Sequence, residues 1–298
     1  MVRPHDLAVS LFDVDRDDSR YVGGKAANLG EMIGAKFPVP PGFVITAAAY
    51  NGFLKDNWLD KKIERLITTI NFESDDSLNQ VSRELKKIIQ TGEISEKLAN
   101  EIFMHYEKLG RNILVAIRSS AVGEDSKEAS YAGQNETFLD IRGEAVLVDK
   151  IRDAWASLFS PRSIFYRHER RHSSTETGIA IIVQKMVESD ASGVIFTIDP
   201  VTEDKSKITL EAIFGLGEYI VQGKVTPDHY EVDKKTFRII KKVKNTQTVM
   251  LKKAGIGDRE VKVPLLKRSQ QKISDHEIIA LTRLALAIEN HYYFPQDI

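Results

Sequence analysis

The 298-residue sequence contains no cysteine. Disulfides, thiolate metal sites and a cysteine nucleophile are therefore excluded, and the absence suits a cytoplasmic protein. No apolar run approaches the ~18 residues that a membrane-spanning helix needs. The opening stretch, MVRPHDLAVSLFDVDRDDSR, is too acidic and too interrupted for a secretory signal. An excess of charge is also lacking. Forty-two Lys and Arg face 43 Asp and Glu, for a formal net charge of −1. The composition thus offers no footprint for nucleic acid or for an anionic membrane. The Walker A pattern G-x-x-x-x-G-K-[ST] is missing. So is a full dinucleotide fingerprint, because Gly215-Leu216-Gly217 has no third glycine.

What is present is organised around residues 113–141, ILVAIRSSAVGEDSKEASYAGQNETFLDI. Five apolar residues, Ile113 to Ile117, predict a buried strand that delivers Arg118, Ser119 and Ser120 to its end. A loop with Gly123 and three acids follows. A second strand-like run starts at Gly133, with Thr137, Leu139 and Ile141 on one face and Phe138 and Asp140 on the other. Arg-Ser-Ser beside a glycine turn is a reasonable anion-binding device. A guanidinium forks onto phosphate oxygens, and hydroxyls and backbone N–H groups add donors. The same pattern also describes half of a surface ion pair.

Upstream, Gly23-Gly24-Lys25 opens a helix carrying Ala26, Ala27, Leu29, Met32 and Ile33. A lysine at a helix start is disfavoured unless an anion sits there; the bland reading is a loop glycine pair with a solvated lysine. Pro38, Pro40 and Pro41 end that helix, and Phe43 to Ile45 read as a strand. Residues from Ala47 to about Leu109 read as helical scaffold. Leu78, Val81, Leu85 and Ile88 fall at helical spacing, and Ser95 is placed to cap a later helix. Ile151, Trp155, Leu158 and Phe159 form an apolar stripe suited to a core. His168, Glu169 and His172 match H-E-x-x-H, the pattern of zinc hydrolases. The competing reading is a charged, solvated helix end, since all six residues from Arg167 to His172 are charged or histidine and no third ligand follows nearby. Residues 179–199 read as two buried strands around a polar turn. Tyr230 to Ile240 reads as a hairpin turning at Asp233-Lys234-Lys235. Ser274 and Glu277 form a capping box for a last helix with Ile278, Leu281, Ala285 and Ile288.

The stretch RSSAVGEDSKEASYAGQNETFLDI resembles the ATP-binding domain of the phosphoenolpyruvate synthase and pyruvate phosphate dikinase family, to which rifampicin phosphotransferases and phenylphosphate synthases also belong. GGK with the following PVPPGFVIT, the hinge-like Q-K-M-V at Gln184 to Val187, the E-A-x-x-G-L-G-E segment from Glu211 to Glu218, and the closing YYFPQDI are collinear with that family. The resemblance implies an α+β ATP-grasp fold, two α/β lobes with mixed or antiparallel sheets around a nucleotide cleft. Residues 1–182 would form the first lobe, with a helical insertion at about 47–110, and residues 183–298 an incomplete second lobe. Lys25 and Arg118 would neutralise phosphate charge and act in catalysis. Gly133 and Thr137 would lie along the phosphates, and Gln184, Met186 and Val187 would hold adenine. Glu211 and Glu218 would stand behind a cation or phosphate, or serve as ion-pair partners within the lobe.

The implied cofactors are ATP and Mg2+. Asp297 is the one residue present from the family's metal-binding strands, whose other ligands are expected beyond Ile298. The implied chemistry passes the ATP pyrophosphoryl group to a histidine on a separate domain, with AMP and phosphate as products. None of the seven histidines lies in the family's phosphohistidine motif, so the partners expected are a phosphohistidine domain and an acceptor-substrate domain, in cis or in trans. The acceptor itself, pyruvate, a phenol or an antibiotic hydroxyl, is not encoded in these residues. A nucleotide-binding module without catalysis is the alternative.

Overall fold

The computed structural model describes residues 2–122, 137–169, 178–253 and 257–298. The chain divides into two compact units, Met1–Met186 and Val187–Ile298. In the first, the elements run β1 (Ala8–Ser10), α1 (Ser19–Gly34), β2 (Gly42–Ile45), α2 (Ala47–Asp56), α3 (Leu59–Thr68), α4 (Asp75–Gln90), α5 (Glu96–Leu109), β3 (Val115–Ala121), β4 (Thr137–Ile141), α6 (Glu144–Ala156), α7 (Pro161–Glu169) and β5 (Ile179–Lys185). The five strands make one antiparallel sheet in the order β1-β2-β5-β3-β4.

Both faces of this sheet are covered, which explains why β5 reads as an unbroken apolar run. Ile179, Ile181 and Val183 enter a large core with Phe43, Ile45, Val115, Ile117 and side chains from α2 to α7. Ala180 and Ile182 join Val44 and the α1 residues Val22, Ala26 and Ala27 on the other face. The helical region expected from Ala47 to Leu109 is α2 to α5. Trp155 is fully buried against Phe53 and Tyr50, with ring centroids 4.8 and 5.7 Å away.

Three expectations for this unit need correction. Strict alternation in β4 would separate Phe138 from Ile141. Instead Asp140 adopts φ +55°, and the pairing slips between Val115 and Ile117. This bulge lets both Phe138 and Ile141 pack on the large core. Ser95 precedes α5 but its hydroxyl makes no capping bond; Glu96 supplies the favourable charge in the first turn. The end of α7 is not wholly solvated. Arg167 is buried, donates to the Leu158 carbonyl and lies 5.4 Å from the Phe159 ring centroid.

The second unit contains β6 (Ala191–Phe196), β7 (Lys207–Phe214), the single turn α8 (Glu218–Val221), β8 (Asp228–Asp233), β9 (Ile239–Val243), β10 (Val249–Lys253), β11 (Asp258–Lys262) and α9 (Asp275–Tyr292). β6 to β9 form an antiparallel meander, and β10 and β11 pair as a separate hairpin. Ile208, Leu210 and Ala212 alternate along β7 and pack with Tyr230 and Val232 on Ile278 and Ala285 of α9. The Ser274–Glu277 capping box forms as expected. β6 is not the buried strand that its sequence suggested. Only Ile195 is buried in it, and it belongs to a different sheet from β5. Its outer edge is partly covered by the last residues: Ile195 and Ile298 exchange two backbone bonds of 2.9 Å.

A buried ion pair ties this unit together. Lys272 Nζ lies 3.0 Å from Asp228 Oδ1, and neither side chain is exposed. Asp228 also accepts from the Asn245 and Lys272 N–H groups and from the Tyr230 hydroxyl. Lys272 Nζ donates further to the carbonyls of Asn245 and Gln270. Every polar atom of the pair is thus satisfied, the condition under which a buried pair is tolerated. Lys272→Met strands the carboxylate and is expected to lower the unfolding free energy by about 3–5 kcal/mol. Chemical denaturation of the 298-residue chain measures this; a loss under ~1 kcal/mol would match an exposed pair and refute the assignment.

Candidate functional site

The two motifs singled out in the first unit meet on one face of its sheet. α1 is broken at Gly23, whose φ of 74° and ψ of 164° are non-helical, so Gly24, Lys25 and Ala26 open a fresh helical segment. Gly23 rests on Ser120: a Cβ there would overlap the Ser120 hydroxyl and carbonyl. The Ala26 N–H donates to Ser120 Oγ at 3.3 Å, across 94 residues of sequence. Only a glycine allows both the positive φ and the close approach.

β3 carries Arg118 into the same region. Arg118 pairs with Ile182 on one side and Thr137 on the other, and Gln184 pairs with Ala116 two positions along. Alternation therefore places Arg118, Thr137 and Gln184 on the face that α1 covers. Arg118 is half-buried, and burial pushes its pKa below the ordinary guanidinium value. Among the described residues no carboxylate pairs with it. A desolvated cation of this kind favours an anionic partner.

Other expected donors are turned away or already bonded. Ser119 points to the opposite side of β3; its hydroxyl is buried without a hydrogen-bond partner. The Gln184 amide donates to the Pro40 carbonyl at 2.9 Å, fastening the proline-rich turn to β5. The Lys185 and Met186 N–H groups donate to the Pro41 and Leu114 carbonyls. Val187 is 57% exposed. Gly133 lies outside the described residues.

In the second unit, Glu211 sits on β7 opposite His229, with His229 Nδ1 3.7 Å from its carboxylate. The same face carries Lys207, bonded to Asp199 and Glu231 at 2.9 and 2.7 Å, and Lys241, bonded to Glu231 at 2.8 Å. Hydrogen bonds from Lys207, then Lys241, hold the Glu231 carboxyl down at about 2. Periodicity gave no sign of this cluster, because its members are joined across strands. The glycine of Gly215-Leu216-Gly217 has a structural duty. Its φ is +85°, and a Cβ would overlap the Leu251 carbonyl where β10 crosses. Glu218 is exposed and accepts from Gln222 at 2.7 Å. The Asp297 side chain is exposed. Among the described residues, no three His, Cys, Asp or Glu are grouped to hold a metal. His168 stacks on Phe72, with centroids 3.5 Å apart and planes 7° from parallel, and His172 lies outside the described residues.

Residues 19–298 match the family described as pyruvate phosphate dikinase, AMP/ATP-binding domain. The chain belongs to that family. It is 42% identical over 293 residues to a protein named probable phosphoenolpyruvate synthase from Archaeoglobus fulgidus, covering 97% of this chain and 39% of that protein. It is 38% identical over 294 residues to one of the same name from Methanocaldococcus jannaschii, covering 97% of this chain and 25% of the relative. It is 34% identical over 330 residues to the phosphoenolpyruvate synthase of Pyrococcus furiosus, covering 96% and 40%. This AMP/ATP-binding domain therefore spans less than half of the relatives it matches. Its α/β composition and antiparallel sheets accord with that family.

Two outcomes are expected for this pyruvate phosphate dikinase-type domain. Gly23→Ala forces Cβ into Ser120 at a left-handed φ and is expected to cost about 1–3 kcal/mol. Gly34→Ala, where the space is open and the backbone helical, should not lower the unfolding temperature and is expected to raise it slightly; equal losses in both variants would remove the special role of Gly23. Glu231 has a folded pKa below its ordinary 4.5. Its contribution to stability is full above that value and is lost as pH falls toward about 2. E231Q should flatten the acid limb of unfolding free energy against pH in this window, and an unaltered limb would show that the cluster is not what acid breaks.

Proposed function

We propose that this chain is the ATP-binding part of a phosphoenolpyruvate synthase-like phosphotransferase with an ATP-grasp arrangement. The observation that carries the reading is the seating of Gly23 on Ser120. It brings the lysine loop to the strand that bears Arg118 and, opposite it, Thr137. Two cations delivered to one sheet face by separate motifs suit a polyphosphate chain. Gln184, Met186 and Val187 are assigned to adenine, with the backbone around the Gln184–Pro40 bond as the rigid part of that recognition.

In this reading, Lys25 and Arg118 hold the phosphoryl oxygens while a histidine nitrogen of a separate domain attacks the β-phosphorus. The bond from that phosphorus to the α–β bridging oxygen breaks, AMP leaves, and the pyrophosphoryl group stays on the histidine. Water then takes the γ-phosphate, and the remaining phosphoryl group passes to an acceptor on another domain. Charge redistributes over the transferred oxygens in the transition state, and cations fixed beside them stabilise it. Magnesium would add positive charge at those oxygens. The described residues group no three ligands for it, and no step is assigned through it; Asp297 is the one candidate ligand. The same observation favours, as a second reading, a module that binds nucleotide without turnover.

Calorimetric titration of a nonhydrolysable ATP analogue into the 298-residue chain tests the proposal. K25A and R118A should each weaken binding by about 10- to 100-fold, as expected for a charge-assisted contact, with unfolding midpoints preserved. Unchanged affinity in both variants would defeat the assignment. AMP release by the chain alone should be slow; release that depends on an added histidine-bearing domain separates transfer from the second reading.

A further inference from the structure

The balanced net charge conceals a strongly basic block. Residues 234–272 hold thirteen Lys and Arg against two acids, Asp258 and Glu260. Several of these cations are internally neutralised: Lys234 by Glu289, Lys241 by Glu231, Lys242 by Asp275, Lys272 by Asp228. Lys252, Arg259 and Lys267 are exposed and, among the described residues, have no ion-pair partner. Lys252 and Arg259 are direct cross-strand neighbours on the hairpin β10–β11. Like charges at such a position repel and destabilise the pair.

This repulsion sits beside a groove. A depression of about 680 Å3 lies between the hairpin and α9, within the range of small-molecule sites. Its floor is apolar, with Phe214, Met250, Val263, Ile273 and Leu281; Lys252 and Lys267 stand at its rim. The acids that also line it are Asp190 and Glu277. Glu277 is turned away to the Ser274 N–H and hydroxyl, at 2.6 and 2.7 Å, which leaves one opposing carboxylate. Lys272 also lines it, with its charge matched by Asp228.

We propose that this groove binds an amphipathic organic anion, a ligand with a flat or acyl apolar body and a single sulfonate, carboxylate or phosphate head. The body covers Phe214, Met250 and Leu281. The head lies between Lys252 and Lys267 and relieves the repulsion between Lys252 and Arg259. The site involves neither Lys25 nor Arg118 and stands independently of the nucleotide reading.

The probe is 8-anilinonaphthalene-1-sulfonate, with uncharged N-phenyl-1-naphthylamine as its control, each followed by fluorescence on the intact 298-residue chain. The expected result is saturable binding of one sulfonate per chain, at least about tenfold tighter than the neutral amine. K252Q/K267Q, two exposed positions whose replacement spares the core, should weaken the sulfonate about five- to tenfold and leave the amine unchanged. Ala280→Trp, on the exposed face of α9 in the groove wall, should block both. Equal affinity for the two probes, or sulfonate binding indifferent to the lysine pair and to Ala280→Trp, would overturn the proposal.

Discussion

The approach of Gly23 to Ser120 is the constraint on which the first unit's chemistry depends. α1 must lie close enough to β3 for an N–H to reach a serine hydroxyl, and no side chain fits between them. The break in α1 falls at this contact, since Gly23 itself has the non-helical φ. The rest of the face follows as well. The small side chains of α1, Ala26 and Ala27, pack on Ala180 and Ile182 of β5. That layer sets the depth at which Arg118 loses water. In the proposed reading, a cation half removed from solvent on the sheet face that a freshly opened helix segment covers would serve as an anion receptor.

The second unit handles charge differently. Lys207, Lys234, Lys241, Lys242 and Lys272 are satisfied in place, through Asp228, Glu231, Asp275 and Glu289. The deepest of them, Lys272, joins the start of β8 to the lead-in of α9 and so holds the sheet against its helix. Beside those matched pairs stand Lys252, Arg259 and Lys267, which have no ion-pair partner among the described residues. Composition averages this away: a net charge of −1 describes neither the basic block of residues 234–272 nor the acid-rich stretch before it.

The family and the main motifs were legible in the sequence because they are local. GGK, PVPPGFVIT, the Arg-Ser-Ser strand and the E-A-x-x-G-L-G-E segment are contiguous runs, and the helices announced themselves through spacing and caps. What escaped were facts that depend on partners far along the chain. The bulge at Asp140 depends on its pairing with β3. The buried state of Arg167 depends on the Leu158 carbonyl and the Phe159 ring. The assignment of residues 191–196 as a buried strand failed because apolar content cannot tell a central strand from one lying between β7 and a three-residue tail.

Residue order alone determined which groups were candidates for binding phosphate and which chemistry was closed, since the absence of a thiol and the presence of particular lysines and arginines are matters of composition and spacing. Tertiary structure alone decided how those groups are used. It set Ser120 rather than Ser119 against the lysine loop, because a strand alternates its faces. It committed the Gln184 amide to Pro40, because the register of β2 against β5 puts them side by side. It buried Lys272 with Asp228, because a charge withdrawn from water has to meet its counterion wherever the fold can bring one.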